Sequence, residues 1–220
     1  PGCDALKKAF ANNIDYIGRG EAVRNDAVTK YNFSSQYTNY NDYMENPEKT
    51  TGLFSSGHDT LTKEQRQGLK DIFQAAYDND SIMWQTVVSF DNRFLTKLGI
   101  YDPTTGVLDE EKLRTATRKM MRETLRLEGM EHSAVWSAAI HFNTDNIHIH
   151  IAYTEPVSTR QRKTVDGVER PKGFFSSKTF RHMKSSMVNK LMENDFAKID
   201  ELMRQRLVAG KKEHSSLQDT

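Results

Sequence analysis

The stretch Ala139-Ile140-His141-Phe142-Asn143-Thr144-Asp145-Asn146-Ile147-His148-Ile149-His150-Ile151 decides the reading of this chain. Side chains alternate between the two faces of a β-strand, so His148 and His150 point one way while Ile147, Ile149 and Ile151 point the other. The pattern predicts two strands, Ala134 to Phe142 and Ile147 to Thr154, joined as an antiparallel hairpin by the turn Asn143-Thr144-Asp145-Asn146. If His141 stands opposite His148, the cross-strand neighbours share a face roughly 5 Å apart. All three imidazoles then converge. A lone histidine in a strand is more often a satisfied sheet residue than a ligand. Three of the chain's seven histidines at matched parity within this hairpin point instead to a divalent metal. Three neutral imidazoles on one rigid face leave coordination positions open for water or a phosphate oxygen, which is the pattern of a catalytic rather than a closed structural site. Asp145 and Asn146 either shape the turn or orient the ligands.

Outward from the hairpin, the apolar periodicity sets the other elements. Leu6, Phe10, Ile14 and Ile17 recur at helical spacing until Gly18 and Gly20 supply a stop. Residues 30–57 carry Tyr31, Tyr37, Tyr40 and Tyr43 among polar residues without a sustained period, which predicts a long surface excursion. Thr62 with Gln65 forms a capping-box pattern at the head of a helix through Leu69, Ile72, Phe73 and Ala76, closed by Asp78-Asn79-Asp80. Ile82 to Phe90 is rich in β-branched and aromatic residues and reads as a strand. After the turn Asp102-Pro103-Thr104-Thr105-Gly106, Asp109 caps a helix with the stripe Leu113, Ala116, Met120 and Leu127, which Gly129 stops. The charged, Gly- and Pro-bounded segment 160–173 reads as a loop. Ser177 then opens a helix with Phe180, Met183, Met187 and Leu191, continuing through Ile199 and Leu202. From Gly210 onward the composition predicts a disordered tail, which leaves residues 1–209 as one domain.

Composition narrows the function classes. Hydrophobic residues make up 36% of 220, with eleven Phe and eight Tyr, enough to fill one core. With Cys3 alone, no intrachain disulfide can form, which fits a reducing cytoplasm. No stretch reads as a secretory signal or a membrane span. The net charge is only +1, yet the cations crowd together. Between Pro156 and Lys190, nine basic residues face two acidic ones. Such a segment is either a solvated surface or a surface for a phosphate backbone.

The histidine run, set in Thr-Asp-Asn-x-His-Ile-His-Ile, resembles the metal motif of MobP-like conjugative relaxases of the HUH endonuclease superfamily, particularly the MobL group on mobile elements of Gram-positive bacteria. Phe10-Ala11-Asn12-Asn13-Ile14-Asp15-Tyr16-Ile17 is similar to their first motif, whose tyrosine is the nucleophile. Val87-Val88-Ser89-Phe90 and Phe174-Phe175-Ser176-Ser177-Lys178-Thr179 also sit where such relaxases carry similar segments. The likeness runs from about residue 8 to about residue 190. One departure is that only nine residues precede Phe10, where such relaxases carry a strand.

The resemblance implies an α+β, two-layer fold: a central antiparallel sheet of about five strands, the two-histidine strand in its middle, and helices packed on one face. The other face would hold metal, tyrosine and single-stranded DNA. It implies a site-specific nick at an origin of transfer, with Tyr16 becoming joined to the 5′ end. His141, His148 and His150 would hold Mn²⁺ or Mg²⁺, with Zn²⁺ or Ni²⁺ able to substitute. It also implies accessory relaxosome proteins, a type IV secretion coupling protein and a C-terminal extension. On the residues themselves, Tyr16 lies roughly 100° from the centre of its helix's apolar stripe, at the edge of the buried face. Tyr31, Tyr37, Tyr40 and Tyr43 are the other candidate nucleophiles. Asp91 and Asp15 are candidates for taking the phenol proton. Arg19, Lys172, Lys178, Arg181 and Lys184 are candidates for DNA phosphates. The rival readings are a rolling-circle replication initiator, in most of which the tyrosine follows the histidines, a Zn²⁺-dependent hydrolase that does not use Tyr16, and a metal-stabilised nucleic-acid-binding module that cuts nothing.

Overall fold

The computed structural model describes residues 52–142, 146–165 and 167–193, together with Asn41, Met44, Ala197 and Glu201. In chain order the elements are β1 (Phe54–Ser55), α1 (Lys63–Asp78), β2 (Met83–Ser89), α2 (Asn92–Lys97), α3 (Glu110–Leu127), β3 (Val135–His141), β4 (His148–Thr154), β5 (Arg162–Val165), β6 (Val168–Pro171) and α4 (Ser177–Leu191). The helix predicted over Leu6 to Ile17, the continuation of α4 predicted through Ile199 and Leu202, and the tail from Gly210 lie outside the described residues.

Alternation builds the central sheet. Its four described strands run antiparallel in the order β1-β3-β4-β2, so the two-histidine strand β4 is interior, with β3 on one side and β2 on the other. Ile140, Ile149 and Ile151 are fully buried on one face together with Ala138 and Tyr153. Burying an isoleucine side chain contributes on the order of 1.5–3 kcal/mol, so this face anchors the strand. Helices α3 and α4 pack against each other and against it through Leu113, Ala116, Met120, Met183, Met187 and Leu191.

The opposite face is divided. Towards the end where β4 finishes, Ala152 and Met83, together with Ala139 opposite His150, pack with Phe73 and Ala76 of α1, and with Leu53, Leu61 and Met44. The alanines are small enough to let an aromatic ring approach the sheet. Helices therefore lie against both faces, with the α3/α4 pair on the isoleucine face and α1 on part of the other. The remaining end of that second face carries the histidines.

Several expectations hold in detail. Thr62 and Gln65 make both reciprocal bonds of the capping box, Asp109 accepts from the Lys112 N–H, and Gly129 at φ 71° ends α3. Others are corrected. Segment 160–173 contains the β5–β6 hairpin instead of a loop. Its turn holds Gly167 at φ 80°, between the paired residues Val165 and Val168, and an Asp-Gly pair flanked by valines is a hairpin signal that the charge of the segment masked. The excursion over 30–57 ends in a strand and in the core, since Phe54 and Leu53 are buried and Phe54 pairs with Ala138. A two-residue strand is too short to display a period. Leu127 and Phe180, expected in helix stripes, are exposed, and Met121 and Leu125 complete the buried side of α3; α4 opens at Ser177 as expected, with Ser176 as its cap.

Candidate metal centre

Register brings the triad together. His141 pairs directly with His148, and His150, two residues on, sits opposite Ala139 on the same face. Ring centroids are 5.1 Å apart for His141 and His148, 4.5 Å for His141 and His150, and 4.9 Å for His148 and His150. One nitrogen from each ring lies within 4.8 Å of the others, close to the span that two metal–nitrogen bonds of about 2.1 Å can bridge. His141 and His150 are buried and His148 half-buried. The flanking β2 residues on this face, Val87 and Ser89, are exposed, so the cluster sits at the open end of the sheet.

The electrostatics suit a cation. Burial, with the neighbouring His141 and His148 rings, pushes the His150 imidazole down to about 3. At neutral pH it is an uncharged lone-pair donor, as a ligand must be. His148 is oriented by its own turn, because its Nδ1 is 2.8 Å from the Asn146 carbonyl oxygen. A carbonyl only accepts, so Nδ1 is the donor in this contact, which leaves Nε2 as the ring nitrogen able to ligate. Asn146 thus touches a triad histidine through its backbone. Three imidazoles brought together by one hairpin, each offering a ring nitrogen, fit a divalent transition ion.

The other expected residues are distributed differently. Tyr16, Asp15, Arg19, Tyr31, Tyr37, Tyr40, Tyr43 and Asp145 lie outside the described residues. Asp91 caps α2, accepting from the Arg93 N–H at 2.9 Å, and its carboxylate is paired with the Arg93 guanidinium at 2.7 Å. Hydrogen bonds from Arg93 hold its pKa below the usual aspartate value, which makes it a weak base. Lys178, Arg181 and Lys184 are exposed on α4, which packs on the isoleucine face, so they occupy the layer across the sheet from the histidines. Lys172 is exposed just after β6, and its carbonyl accepts from Arg160 at 3.1 Å.

Sequence reasoning missed two features, one beside the centre and one on the opposite face of the sheet. The short helix α2 follows β2 directly, and its first residue, Asn92, accepts the main-chain N–H of Ile147 at 2.9 Å. The available signal was Asp91 as an N-cap, but next to a strand it reads as a surface carboxylate. The second is the packing of Arg160, whose guanidinium meets Glu128 at 2.8 Å and lies 5.3 Å from the Phe175 ring. Trp84 stacks on Tyr153 and on Phe175 beside it. Tyr153 is no rival nucleophile, because burial pushes its phenol up to about 12 and it faces away from the histidines.

Among the described residues no helix is long and apolar enough to cross a membrane. Neither the curated proteins nor the solved structures contain a match to the chain. The family model for MobL relaxases matches residues 3–220, and with the antiparallel sheet and the histidine hairpin this places the chain in the MobL relaxase family.

Proposed function

We propose that this relaxase nicks one strand of DNA at an origin of transfer by tyrosine transesterification, at a divalent metal held by His141, His148 and His150. The convergence of three imidazoles at the open end of one sheet face, in a MobL relaxase, carries the reading. Mn²⁺ or Mg²⁺ is the working ion. When bound, it supplies Lewis-acid neutralisation of the scissile phosphate. The histidines contribute rigidity, since the hairpin fixes their spacing before DNA arrives.

Tyr16 is the nucleophile, on the strength of its motif. Its phenolic oxygen bonds to phosphorus, the bond from phosphorus to the 3′ oxygen breaks, and the products are a 5′-phosphotyrosyl enzyme and a free 3′-hydroxyl. The phenol proton leaves and the departing 3′ oxygen takes one up, so one phosphodiester replaces another. Rejoining therefore needs no ATP. Asp91, committed to Arg93, is better suited to holding α2 than to accepting that proton. Lys172, Lys178, Arg181 and Lys184 would engage phosphates of DNA that reaches past the cleaved strand, with Arg19 nearer the nucleophile's motif. That contact would weaken as salt rises. Asn146, and Asp145 with it, orient the metal-binding turn. Accessory relaxosome proteins and a secretion coupling protein are the partners this role requires.

The test is incubation with oligonucleotides or plasmid carrying a candidate origin plus Mn²⁺, followed by a denaturing gel and mass spectrometry of protein-linked 5′ ends. A DNA adduct on Tyr16 that vanishes with EDTA and in Tyr16→Phe is the expected result. Cleavage without an adduct would replace this reading with a water-using hydrolase, and binding without cleavage at a verified origin would replace it with a binding module.

A further inference from the structure

Ile147, the residue just before the two-histidine strand, is held at three points. Its N–H donates to the Asn92 side-chain oxygen at 2.9 Å, its carbonyl accepts from the Phe90 N–H at 3.0 Å, and its side chain is buried in the isoleucine-face core. His148 follows at once, and on the other side of Ile147 the Asn146 carbonyl accepts a hydrogen bond from His148 Nδ1 at 2.8 Å. The backbone that aims His148 is therefore set on both sides of Ile147. Asn92 is itself fixed. It is the first residue of α2, the Asp91 side chain caps that helix, and the Thr96 hydroxyl donates to the Asn92 carbonyl at 2.9 Å.

From this geometry we infer that Asn92 is a positioning residue for the metal centre, its amide oxygen locking Ile147 so that His148 meets the ion in the correct orientation. The inference rests on the triad being a metal site. Partners that orient ligating histidines typically govern metal affinity by about 10–100-fold. Asn92 acts through one intervening residue, so its share falls at the low end of that range. Asparagine suits the task because its carbonyl accepts while the helix start fixes its direction, and aspartate is the one substitution that keeps an oxygen in the same place.

The experiment is calorimetric titration of the full chain with Mn²⁺ alone, comparing wild type, Asn92→Ala and Asn92→Asp well below their melting temperatures in EDTA. Asn92→Ala is expected to bind Mn²⁺ about tenfold more weakly, and Asn92→Asp to recover most of that loss. A role in folding alone would lower the melting temperature and leave the affinity of the folded protein unchanged. Wild-type affinity in Asn92→Ala, or equal weakening in both variants, would overturn the assignment. Should the alanine variant fail to fold, Asn92→Ser takes its place with the same two outcomes. A wild-type protein that binds no Mn²⁺ would overturn the metal reading and this one together, a result distinct from either of the others.

Discussion

The two faces of β4 use one strand for opposite purposes. Ile149, Ile151 and Tyr153 face a closed core under α3 and α4, whereas His148 and His150 face the open end of the sheet, beside the exposed Val87 and Ser89. The contrast follows from a side-chain period of two: residues 149 and 151 supply the rigidity that residues 148 and 150 require, without touching a ligand. Stability and chemistry are adjacent along the chain and separated across the sheet. Substitutions on one face should then change folding with little effect on intrinsic metal affinity, and substitutions on the other should do the reverse.

The strongest challenge to that separation is Ile149→Ala. It leaves a cavity at a fully buried, central position, and the expected cost is about 2–5 kcal/mol in chemical denaturation. Titrated in the remaining folded population, Mn²⁺ affinity should stay near wild type. A large loss of affinity there would show that the faces are not independent.

Acid sharpens the comparison from the other side. The His150 ring is depressed to about 3 by burial and by its neighbours, against an ordinary value of 6.5. Between those values the unfolded chain takes up a proton that the folded chain refuses, so metal-free protein should lose stability as pH falls from 6.5 towards 3 and show no contribution from this group above that window. Melting curves in EDTA across the range check the sign. In His150→Ala this part of the acid sensitivity should disappear. A smaller effect is expected where the second face is closed by α1. Thr62→Ala removes the reciprocal cap and should cost about 1 kcal/mol, with metal affinity unchanged in the same titration.

How far the sequence was legible depends on the length of each pattern. The hairpin could be read with its register, because seven-residue strands show alternation and the four-residue turn leaves one pairing that faces His141 with His148. The capping box, the Asp109 cap and the Gly129 stop could be read because each is a local hydrogen-bond or backbone-angle requirement. Strand β1 could not, since two residues carry no period, and its partner Ala138 is more than eighty residues away in sequence. The β5–β6 hairpin was hidden by charge. Arg162 pairs with Asp80 across the structure and Lys163 is exposed opposite Arg170, and so charged a run reads from composition as a loop. For the site, the ligands were legible and their support was not. The bond from Ile147 to Asn92 joins residues fifty-five apart, and the helix carrying Lys178, Arg181 and Lys184 proved to cover the isoleucine face instead of the histidine face. Which layer a surface helix joins is a tertiary fact, and its own residues do not record it.

The most direct measurement of the central claim is a calorimetric titration of metal-free protein with Mn²⁺, wild type beside His150→Ala. Wild type is expected to show one saturable site per chain and the variant none, both titrated well below their metal-free melting temperatures so that each is folded. Absence of saturable binding in wild type, or undiminished binding in His150→Ala, would contradict that claim.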